Sequence, residues 1–291
     1  MKSETHLPAP NWRISKGKLF CPAPYMVAGI INITPDSFSD GGIFESPRDA
    51  FALAQKHMAD GAEIIDIGAE STRPGAQDIG AEEEIRRLAP LFELMQENDF
   101  INKGVQVSVD TFRAKTAEFA LKNGATIIND IAGTAFDADM VSVLKEHKPG
   151  YILGHSPAKP SEMMQKNYYT DIIDSLLQHF TETMNELVRA GLPEENICLD
   201  PCVGFGKNTL QTLKIFEGIP KFLALGRPLY FGISRKNFIG ELTGLPTDRR
   251  SNPTSVVVAL LAQKGVHIHR VHNVEETKAA LAIVQAMNTP T

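Results

Sequence analysis

The segment Met26-Val-Ala-Gly-Ile-Ile-Asn-Ile-Thr-Pro-Asp-Ser-Phe-Ser-Asp-Gly-Gly42 joins an apolar run to a polar loop. Residues 26–31 are rich in Val and Ile and lack helical spacing, which predicts a β-strand. Pro35, Gly41 and Gly42 then break regular structure. Thr-Pro-Asp-Ser is also ordinary turn chemistry, so this segment by itself fits a plain turn as well as a functional loop.

The same arrangement recurs along the chain. Seven further short apolar runs complete a set of eight strand candidates, and most of them carry polar or ionisable residues at the carboxyl end. These runs are residues 63–68, 104–110, 125–130, 151–155, 197–200, 229–234 and 266–272.

Segments of helical length and helical apolar spacing lie between the strands, at residues 47–60, 81–98, 114–123, 140–146, 172–190, 211–225 and 254–264. Strands that alternate with helices imply right-handed crossovers and a parallel sheet. Eight repeats in 291 residues predict an α/β protein with a single (β/α)8 TIM barrel, a fold of about 250 residues. We expect the barrel domain over residues 25–291 and an N-terminal extension or barrel cap over residues 1–24.

A doubly wound open sheet is the competing architecture. It usually shows a glycine-rich turn after the first strand, and neither G-x-G-x-x-G nor G-x-x-x-x-G-K-[ST] occurs in this sequence. Gly204-Phe-Gly-Lys207 is too short to be either motif. In a barrel the loops after the strands form one active face, so the polar strand ends should converge on one mouth.

The composition is that of an ordinary globular protein, with 43% hydrophobic and 22% charged residues. A formal net charge of −6 disfavours nonspecific binding to nucleic acid or anionic membranes. The N-terminus, Met1-Lys-Ser-Glu-Thr-His-Leu-Pro8, lacks an apolar core of signal-peptide length, and no segment approaches a membrane span. We therefore expect a cytoplasmic protein without nucleic-acid or membrane partners.

The three cysteines are an odd number in a chain without a secretion signal, so structural disulfides are not expected. Cys198 and Cys202 have C-x3-C spacing, which is not a usual zinc spacing, and we expect Cys198 to be a packing residue. Neither is expected to be a nucleophile.

Strand periodicity separates the charged residues near the C-terminus. His267 and His269 should point to one face of the last strand, where packing between sheet and helix is a better explanation than zinc. Arg270 and His272 should point to the other face. A guanidinium and an imidazole at the end of a strand make a good anion site, since arginine offers phosphate a planar fork of donors.

Ser234-Arg235-Lys236 ends the seventh strand and adds cations and a hydroxyl to the same mouth. Loops after strands seven and eight often bind phosphate in this fold, although a solvated basic turn is the alternative. Four residues at other strand ends should face the same space: Asp200, Asn129, Asp110 and Arg73. Acids and bases in one pocket indicate an anionic leaving group beside a polar or cationic reacting group.

These motifs together resemble the dihydropteroate synthase family of pterin-binding enzymes. The matching stretches occur in family order and span residues 26–272: Asn32-Ile-Thr-Pro-Asp-Ser-Phe-Ser-Asp-Gly-Gly, Asp66-Ile-Gly-Ala-Glu-Ser-Thr-Arg-Pro-Gly, Ser108-Val-Asp-Thr, Ile128-Asn-Asp, Leu199-Asp-Pro, Gly204-Phe-Gly-Lys, Ser234-Arg-Lys and Arg270-Val-His. The resemblance implies that (7,8-dihydropterin-6-yl)methyl diphosphate and 4-aminobenzoate condense to dihydropteroate and diphosphate in folate biosynthesis, through a pterin-methyl cation without a covalent enzyme intermediate. It also implies a homodimer.

The resemblance further implies a role for each matching residue. Asp110, Lys236 and Asp40 would be catalytic; Asp110, Asn129, Asp200 and Lys236 would bind the pterin; Thr72, Arg73, Arg270 and His272 would bind diphosphate; Phe38, Thr72, Pro74, Phe205 and Ser234 would bind 4-aminobenzoate; and Asn32 would be a ligand of the cofactor Mg²⁺. Carboxylates and an amide suit the donor-rich edge of an aminopyrimidine, and an amide oxygen suits Mg²⁺.

One stretch and two single positions depart from the family pattern. Gly154-His-Ser-Pro-Ala158 stands where the family has Met-His-Met-Gln-Gly, so Ser156 replaces a methionine that lines the pterin pocket. Cys202 and Asn273 stand where glycine and aspartate are usual. The last two changes remove no residue assigned to substrate chemistry, so we expect activity to be retained.

Two other functions stay open from the sequence. A pterin-dependent methyltransferase on the related barrel needs no diphosphate site, and the chain lacks the Asp-x-His-x-x-Gly cobalamin signature. The second alternative is a divergent paralogue that binds pterin without turnover. The departures at Gly154 and Ser156 are the reason to consider it.

Overall fold

The computed structural model describes residues 11–14, 19–20, 24–34, 46–71, 76, 78–163 and 169–288. Two short strands near the N-terminus pair antiparallel: β1 (Trp12–Arg13) and β2 (Leu19–Phe20). Eight longer strands follow: β3 (Met26–Asn32), β4 (Ile64–Gly68), β5 (Gln106–Asp110), β6 (Ile127–Asp130), β7 (Gly150–Gly154), β8 (Ile197–Asp200), β9 (Tyr230–Gly232) and β10 (Ile268–Val271).

The eight strands form one parallel sheet in the order β8-β7-β6-β5-β4-β3-β10-β9. Its two edge strands meet where Leu199 pairs with Leu229 and the Leu199 N–H donates to the Pro228 carbonyl at 2.9 Å, which closes the sheet. This closure confirms the (β/α)8 barrel and rules out the doubly wound sheet, since an open sheet would leave both edges unpaired. The division of the chain at residue 24 stays a prediction.

Ten α-helices occur in the part of the chain that the structure describes. They are α1 (Pro47–Ala59), α2 (Gly80–Glu97), α3 (Ala114–Lys122), α4 (Met140–His147), α5 (Ile172–Ala190), α6 (Thr209–Glu217), α7 (Ile219–Leu223), α8 (Asn237–Thr243), α9 (Ser251–Gln263) and α10 (Val274–Asn288). None of these helices is both long enough and apolar enough to cross a membrane.

The helix predictions were wrong in three places. The helix expected over residues 211–225 is two helices, α6 and α7, because Gly218 and Pro220 interrupt it. The short helix α8 was not predicted, because it has too few residues to show helical periodicity. The helix α10 was missed because its outer face is also apolar: Ile283 and Met287 are 62% and 72% exposed, which blurs the amphipathic pattern.

Side chains that point into the barrel form its inner core. Trp12 and Ile14 from the N-terminal segment fill the amino end of the barrel. There they pack on inward-pointing residues of the strands: Met26, Ala28, Ile64, Ile127, Ile152, Cys198, Tyr230 and Ile268. The indole N–H of Trp12 donates to the Asn196 carbonyl at 2.8 Å. Cys198 is fully buried in this core, as expected for a packing residue.

We expect Trp12→Ala to lower the free energy of unfolding by about 3–5 kcal/mol, because it empties the amino end of the barrel and leaves the Asn196 carbonyl unpaired. Trp12→Phe should cost less, since the ring still fills the space. Far-UV circular dichroism during urea unfolding measures both variants, which lack the single tryptophan of the chain. Equal stability of wild type and Trp12→Ala would show that this end of the barrel needs no plug.

Candidate active site

Polar side chains point into the barrel at the carboxyl ends of its strands. The period of two that places Ile64 in the inner core also turns Asp66 inward on β4, and β5 turns Ser108 and Asp110 inward in the same way. The inward positions near the ends of β6, β8 and β10 hold Asn129, Asp200 and Arg270. The polar strand ends that the structure describes therefore converge on one mouth, as expected, whereas Arg73 lies outside the described residues.

Arg270 lies between two carboxylates. Its Nε donates to Asp66 Oδ2 at 2.5 Å and its Nη2 donates to Asp110 Oδ2 at 2.9 Å. Asp66 is completely buried and also accepts from the Ser108 hydroxyl at 2.6 Å and from Asn129 Nδ2 at 3.2 Å. Four strands are thus joined through one carboxylate.

Sequence reasoning gave Asp66 no role. It opens the stretch Asp66-Ile-Gly-Ala-Glu-Ser-Thr-Arg-Pro-Gly, and the signal in the sequence is a carboxylate at an inward position within an otherwise apolar strand. A buried carboxylate needs a cation as its partner. The sequence alone does not show which cation this is.

The charges of this group perturb one another. Burial raises the pKa of Asp110, and nearby Asp66 adds to the rise, while Arg270 opposes it. Burial disfavours the Arg270 cation, but Asp66 and Asp110 more than offset burial and raise its pKa. Arg270 therefore stays charged, and Asp110 is held as a less acidic carboxyl than usual.

A second acid and a lysine face the first group. Asp200 accepts from the Cys202 backbone N–H at 2.7 Å, and burial raises its pKa to about 6. Burial, followed by the neighbouring Arg270, lowers the pKa of Lys236 to about 8. The Lys236 ammonium lies 4.1 Å from the centroid of the Phe205 ring, a cation–π contact.

Ser234 and His272 form a hydrogen-bonded pair beside Arg270. His272 Nδ1 lies 2.9 Å from Ser234 Oγ, and the His272 backbone N–H donates to the same hydroxyl at 3.3 Å. Burial, with Arg235 and Arg270 next, lowers the pKa of His272 to about 3. The imidazole is therefore neutral at physiological pH and offers anions an N–H rather than a positive charge.

Asn32 ends β3 beside the glycine that ends β4. A Cβ added at Gly68 would lie 3.3 Å from Asn32 Oδ1 and 3.9 Å from Asp110 Oδ2, so both oxygens border the space that Gly68 leaves open. Hard oxygen donors of this kind fit Mg²⁺. Among the described residues, no group of three or more His, Cys, Asp or Glu side chains is arranged to hold a metal ion.

An ionic network centred on the buried Arg113 joins residues that flank the Ser-Thr-Arg-Pro-Gly stretch after β4. Arg113 Nη1 donates to Glu70 and, at 3.1 Å, to Glu84 on α2, while its Nη2 donates to Asp78 Oδ1 at 2.7 Å. Glu84 also accepts from the hydroxyl of Thr111, which directly follows Asp110. One guanidinium thus ties residues on both sides of the Ser-Thr-Arg-Pro-Gly stretch to the end of β5.

The predicted site residues fall into two groups. Those that the structure brings to the mouth are Asn32, Asp110, Asn129, Asp200, Phe205, Ser234, Lys236, Arg270 and His272. Phe38, Asp40, Thr72, Arg73 and Pro74 lie outside the described residues. The individual roles stay predictions for both groups.

Two of the departures from the family pattern lie against each other. A Cβ added at Gly154 would lie 2.5 Å from the Asp130 carbonyl and 2.8 Å from Cys202 Sγ, so the side chain of Cys202 occupies the space beside this glycine. Ser156 is buried and donates its hydroxyl to the Ala158 carbonyl at 2.7 Å within its own loop. Gly154 and Cys202 therefore fit as a pair.

Comparisons with known proteins agree with this geometry. The model of the family described as "Pterin binding enzyme" matches residues 28–272. The dihydropteroate synthase of Bacillus subtilis (strain 168) is 41% identical over 262 residues, which cover 90% of this chain and 88% of that protein.

Solved structures show the same likeness. The Yersinia pestis dihydropteroate synthase in complex with a sulfonamide drug has a TM-score of 0.88 and 32% identity, covering 95% of this chain and 98% of that one. The Xanthomonas albilineans dihydropteroate synthase with 4-aminobenzoic acid has a TM-score of 0.87 and 32% identity, covering 97% and 100%. The family model and the identity to relatives over nine tenths of the chain show that this chain belongs to the pterin-binding enzyme family, among the dihydropteroate synthases.

Proposed function

We propose that this protein condenses (7,8-dihydropterin-6-yl)methyl diphosphate with 4-aminobenzoate to give 7,8-dihydropteroate and diphosphate, a step of folate biosynthesis. One observation carries the proposal: two buried carboxylates, an amide and an ammonium, from Asp110, Asp200, Asn129 and Lys236, face one another at the mouth of the barrel. Membership of the family and the 4-aminobenzoic acid in the Xanthomonas structure support it.

These side chains complement a pterin ring. The aminopyrimidine edge presents N–H donors, which the Asp110 and Asp200 carboxylates accept, while Asn129 can both donate and accept. The Lys236 ammonium would donate to an acceptor on the ring edge. Because Asp110, Asn129 and Asp200 are buried, Lys236 is half-buried, and several of these groups are fixed by neighbours, little reorganisation is needed when the ring enters.

The reaction separates charge. The bond between the pterin methylene carbon and the diphosphate oxygen breaks, its electron pair leaves with the diphosphate, and positive charge develops on the methylene and ring. The nearby Asp110 carboxylate stabilises this cation electrostatically. The amine nitrogen of 4-aminobenzoate then bonds to the methylene carbon and loses a proton to water. No enzyme nucleophile is required, because the amine itself captures the cation.

The leaving diphosphate would be held at the end of β10. Arg270 supplies positive charge, and neutral His272 supplies its Nε2–H to a phosphate oxygen when the Ser234 hydroxyl donates to Nδ1. Thr72 and Arg73 are assigned to the same group by resemblance. Phe205 and Ser234, with Phe38, Thr72 and Pro74, would surround 4-aminobenzoate, and Asp40 would add a second carboxylate near the cation.

We further propose Mg²⁺ as the cofactor, with Asn32 Oδ1 as its protein ligand. The Asn32 oxygen that borders Gly68 fits this ion, which usually keeps several waters and takes substrate phosphate oxygens. Bound there, Mg²⁺ would neutralise charge on the departing diphosphate. A cytoplasmic location stays a prediction.

The first test measures diphosphate release from the pterin substrate with and without 4-aminobenzoate. We expect release coupled to dihydropteroate formation in wild type, a fall of at least about 100-fold in kcat/KM for Asp110→Asn and Lys236→Met, and loss of activity when Mg²⁺ is chelated. Lys264→Met, an exposed lysine, is the matched control and should keep full activity.

Pterin binding without diphosphate release would contradict the proposal and favour the non-catalytic paralogue. Transfer of a methyl group without diphosphate release would favour the methyltransferase, which needs none of the anion-binding groups near Arg270.

The pH profile is a second test. The Asp200 carboxylate is charged above its pKa of about 6, and the Lys236 ammonium is charged below its pKa of about 8. Burial also raises the pKa of Asp110 to about 7. We therefore expect kcat/KM for the pterin substrate to rise as Asp200 and Asp110 lose their protons and to fall through the pKa of Lys236. Lys236→Arg keeps its charge at high pH and should lose the alkaline limb. An unchanged alkaline limb in this variant would show that another group titrates there.

We also propose that the protein is a homodimer through the outer face of α9 and α10. Four large apolar side chains on this face are more than half exposed: Val256, Leu260, Ile283 and Met287. A contiguous apolar patch across two adjacent helices indicates an interaction surface, and a second copy with the same patch would bury it symmetrically.

Analytical ultracentrifugation tests the dimer. We expect wild type to sediment as a dimer and the double variant Leu260→Glu with Ile283→Glu to sediment as a monomer, because the charges cannot be buried without partners. Leu210→Glu is the matched control, since Leu210 is 73% exposed on another helix. A monomeric wild type, or a dimer that survives both substitutions, would contradict the proposed interface.

A further inference from the structure

A buried lysine that no predicted role includes lies between two loops at the mouth. Lys207 is 7% exposed, and its ammonium donates to three backbone carbonyls: His155 at 2.8 Å, Phe205 at 3.0 Å and Cys202 at 3.3 Å. All three of its N–H donors are therefore used, and all three go to carbonyl oxygens rather than to a carboxylate.

This arrangement joins two neighbouring loops. His155 follows β7, whereas Cys202 and Phe205 follow β8. The loops are also packed closely, since a Cβ added at Gly206 would lie 2.5 Å from Pro157 Cγ and 2.9 Å from the Met163 carbonyl, and Gly206 has a φ of +59°. One ammonium thus fixes the backbone on both sides of this contact.

The position of Lys207 is costly in electrostatic terms. Burial lowers its pKa to about 8, although Cys202 and Asp200 oppose the shift. Carbonyl dipoles carry no full negative charge, so they offset the desolvation of the ammonium only in part, in line with the lowered pKa. The three carbonyls in turn depend on this ammonium for their hydrogen bonds, so its removal would loosen both loops.

Phe205 connects this lysine with the substrates. The carbonyl of Phe205 accepts from Lys207, its backbone N–H donates to the Cys202 carbonyl at 3.1 Å, and its ring lies against the Lys236 ammonium. Both backbone polar groups of Phe205 are thus anchored in one turn. The direction of its ring depends on that turn.

We propose that Lys207 is a positioning residue for 4-aminobenzoate. Its ammonium holds the Cys202–Phe205 turn against the loop after β7, so that the Phe205 ring faces Lys236 and forms one wall of the 4-aminobenzoate site. This inference rests on the proposed function. It also gives the altered loop that contains His155 and Ser156 a role in supporting that wall.

Steady-state kinetics of Lys207→Met, Phe205→Ala and the double variant test the inference. We expect Lys207→Met to raise KM for 4-aminobenzoate about tenfold while KM for the pterin diphosphate changes by less than about twofold. Because Lys207 acts through Phe205, adding Lys207→Met to Phe205→Ala should raise KM no further. Lys221→Met, which changes an exposed lysine on α7, is the matched control and should behave as wild type.

A second variant keeps the test decisive if Lys207→Met folds poorly, as judged by circular dichroism. Lys207→Gln retains two N–H donors, so its KM for 4-aminobenzoate should lie between those of wild type and Phe205→Ala. Additive effects of Lys207 and Phe205 substitutions, or equal rises in KM for both substrates, would overturn the inference while leaving the reaction intact. A wild type that releases no diphosphate would instead overturn the proposed function, and the inference with it.

Discussion

The Arg270 guanidinium, shared by Asp66 and Asp110, is the interaction on which the rest of the site depends. A buried carboxylate without a cation costs several kcal/mol, so Asp66 on β4 and Asp110 on β5 both require Arg270 on β10. Asp66 also accepts from Ser108 and Asn129, which fixes the direction of the Asn129 amide. The register that pairs Asp66 with Ser108 and Asp110 with Asn129 therefore sets the geometry of the mouth.

The site holds charges that are poorly solvated before substrates arrive. Burial raises the pKa values of Asp110 and Asp200 and lowers those of Lys236 and Lys207, which means that each group is less stable in its charged form than in water. A substrate with a cationic transition state and an anionic leaving group offers each sign of charge a partner. Groups that are unfavourable in the free protein thus become favourable during the reaction, the general character of preorganised active sites.

The sequence predicted the barrel because the strands end in polar residues and apolar helices separate them. All eight barrel strands were found, and the polar strand ends converge as expected. What the sequence did not supply were long-range partners: Asp66 was quoted without a role, since no local pattern pairs it with a residue 204 positions away. Gly218 and Pro220 mark the break between α6 and α7, but the helical spacing of apolar residues continues across them and hid it. The helix α10 was missed because its exposed face is apolar and resembles a buried face.

The same limit applies to the residues around Lys207. Gly154 and Cys202 read as separate departures from a family pattern, and only their contact in three dimensions shows that the small residue makes room for the larger one. Lys207 belongs to the Gly204-Phe-Gly-Lys motif, yet its three carbonyl partners come from two loops. His155 in the first loop precedes Cys202 in the second by 47 residues. Neutral His272 is a further case, since the sequence offered an imidazole and only its burial settled the charge.

The most direct test of the central claim is a crystal structure of the protein with (7,8-dihydropterin-6-yl)methyl diphosphate and Mg²⁺. The account predicts the pterin edge within about 3.2 Å of the Asp110 and Asp200 carboxylates, with Arg270 still bound to Asp66 and the diphosphate beside His272. A pterin ring bound away from both carboxylates, or an Arg270 that has left Asp66 with no loss of site geometry, would contradict it.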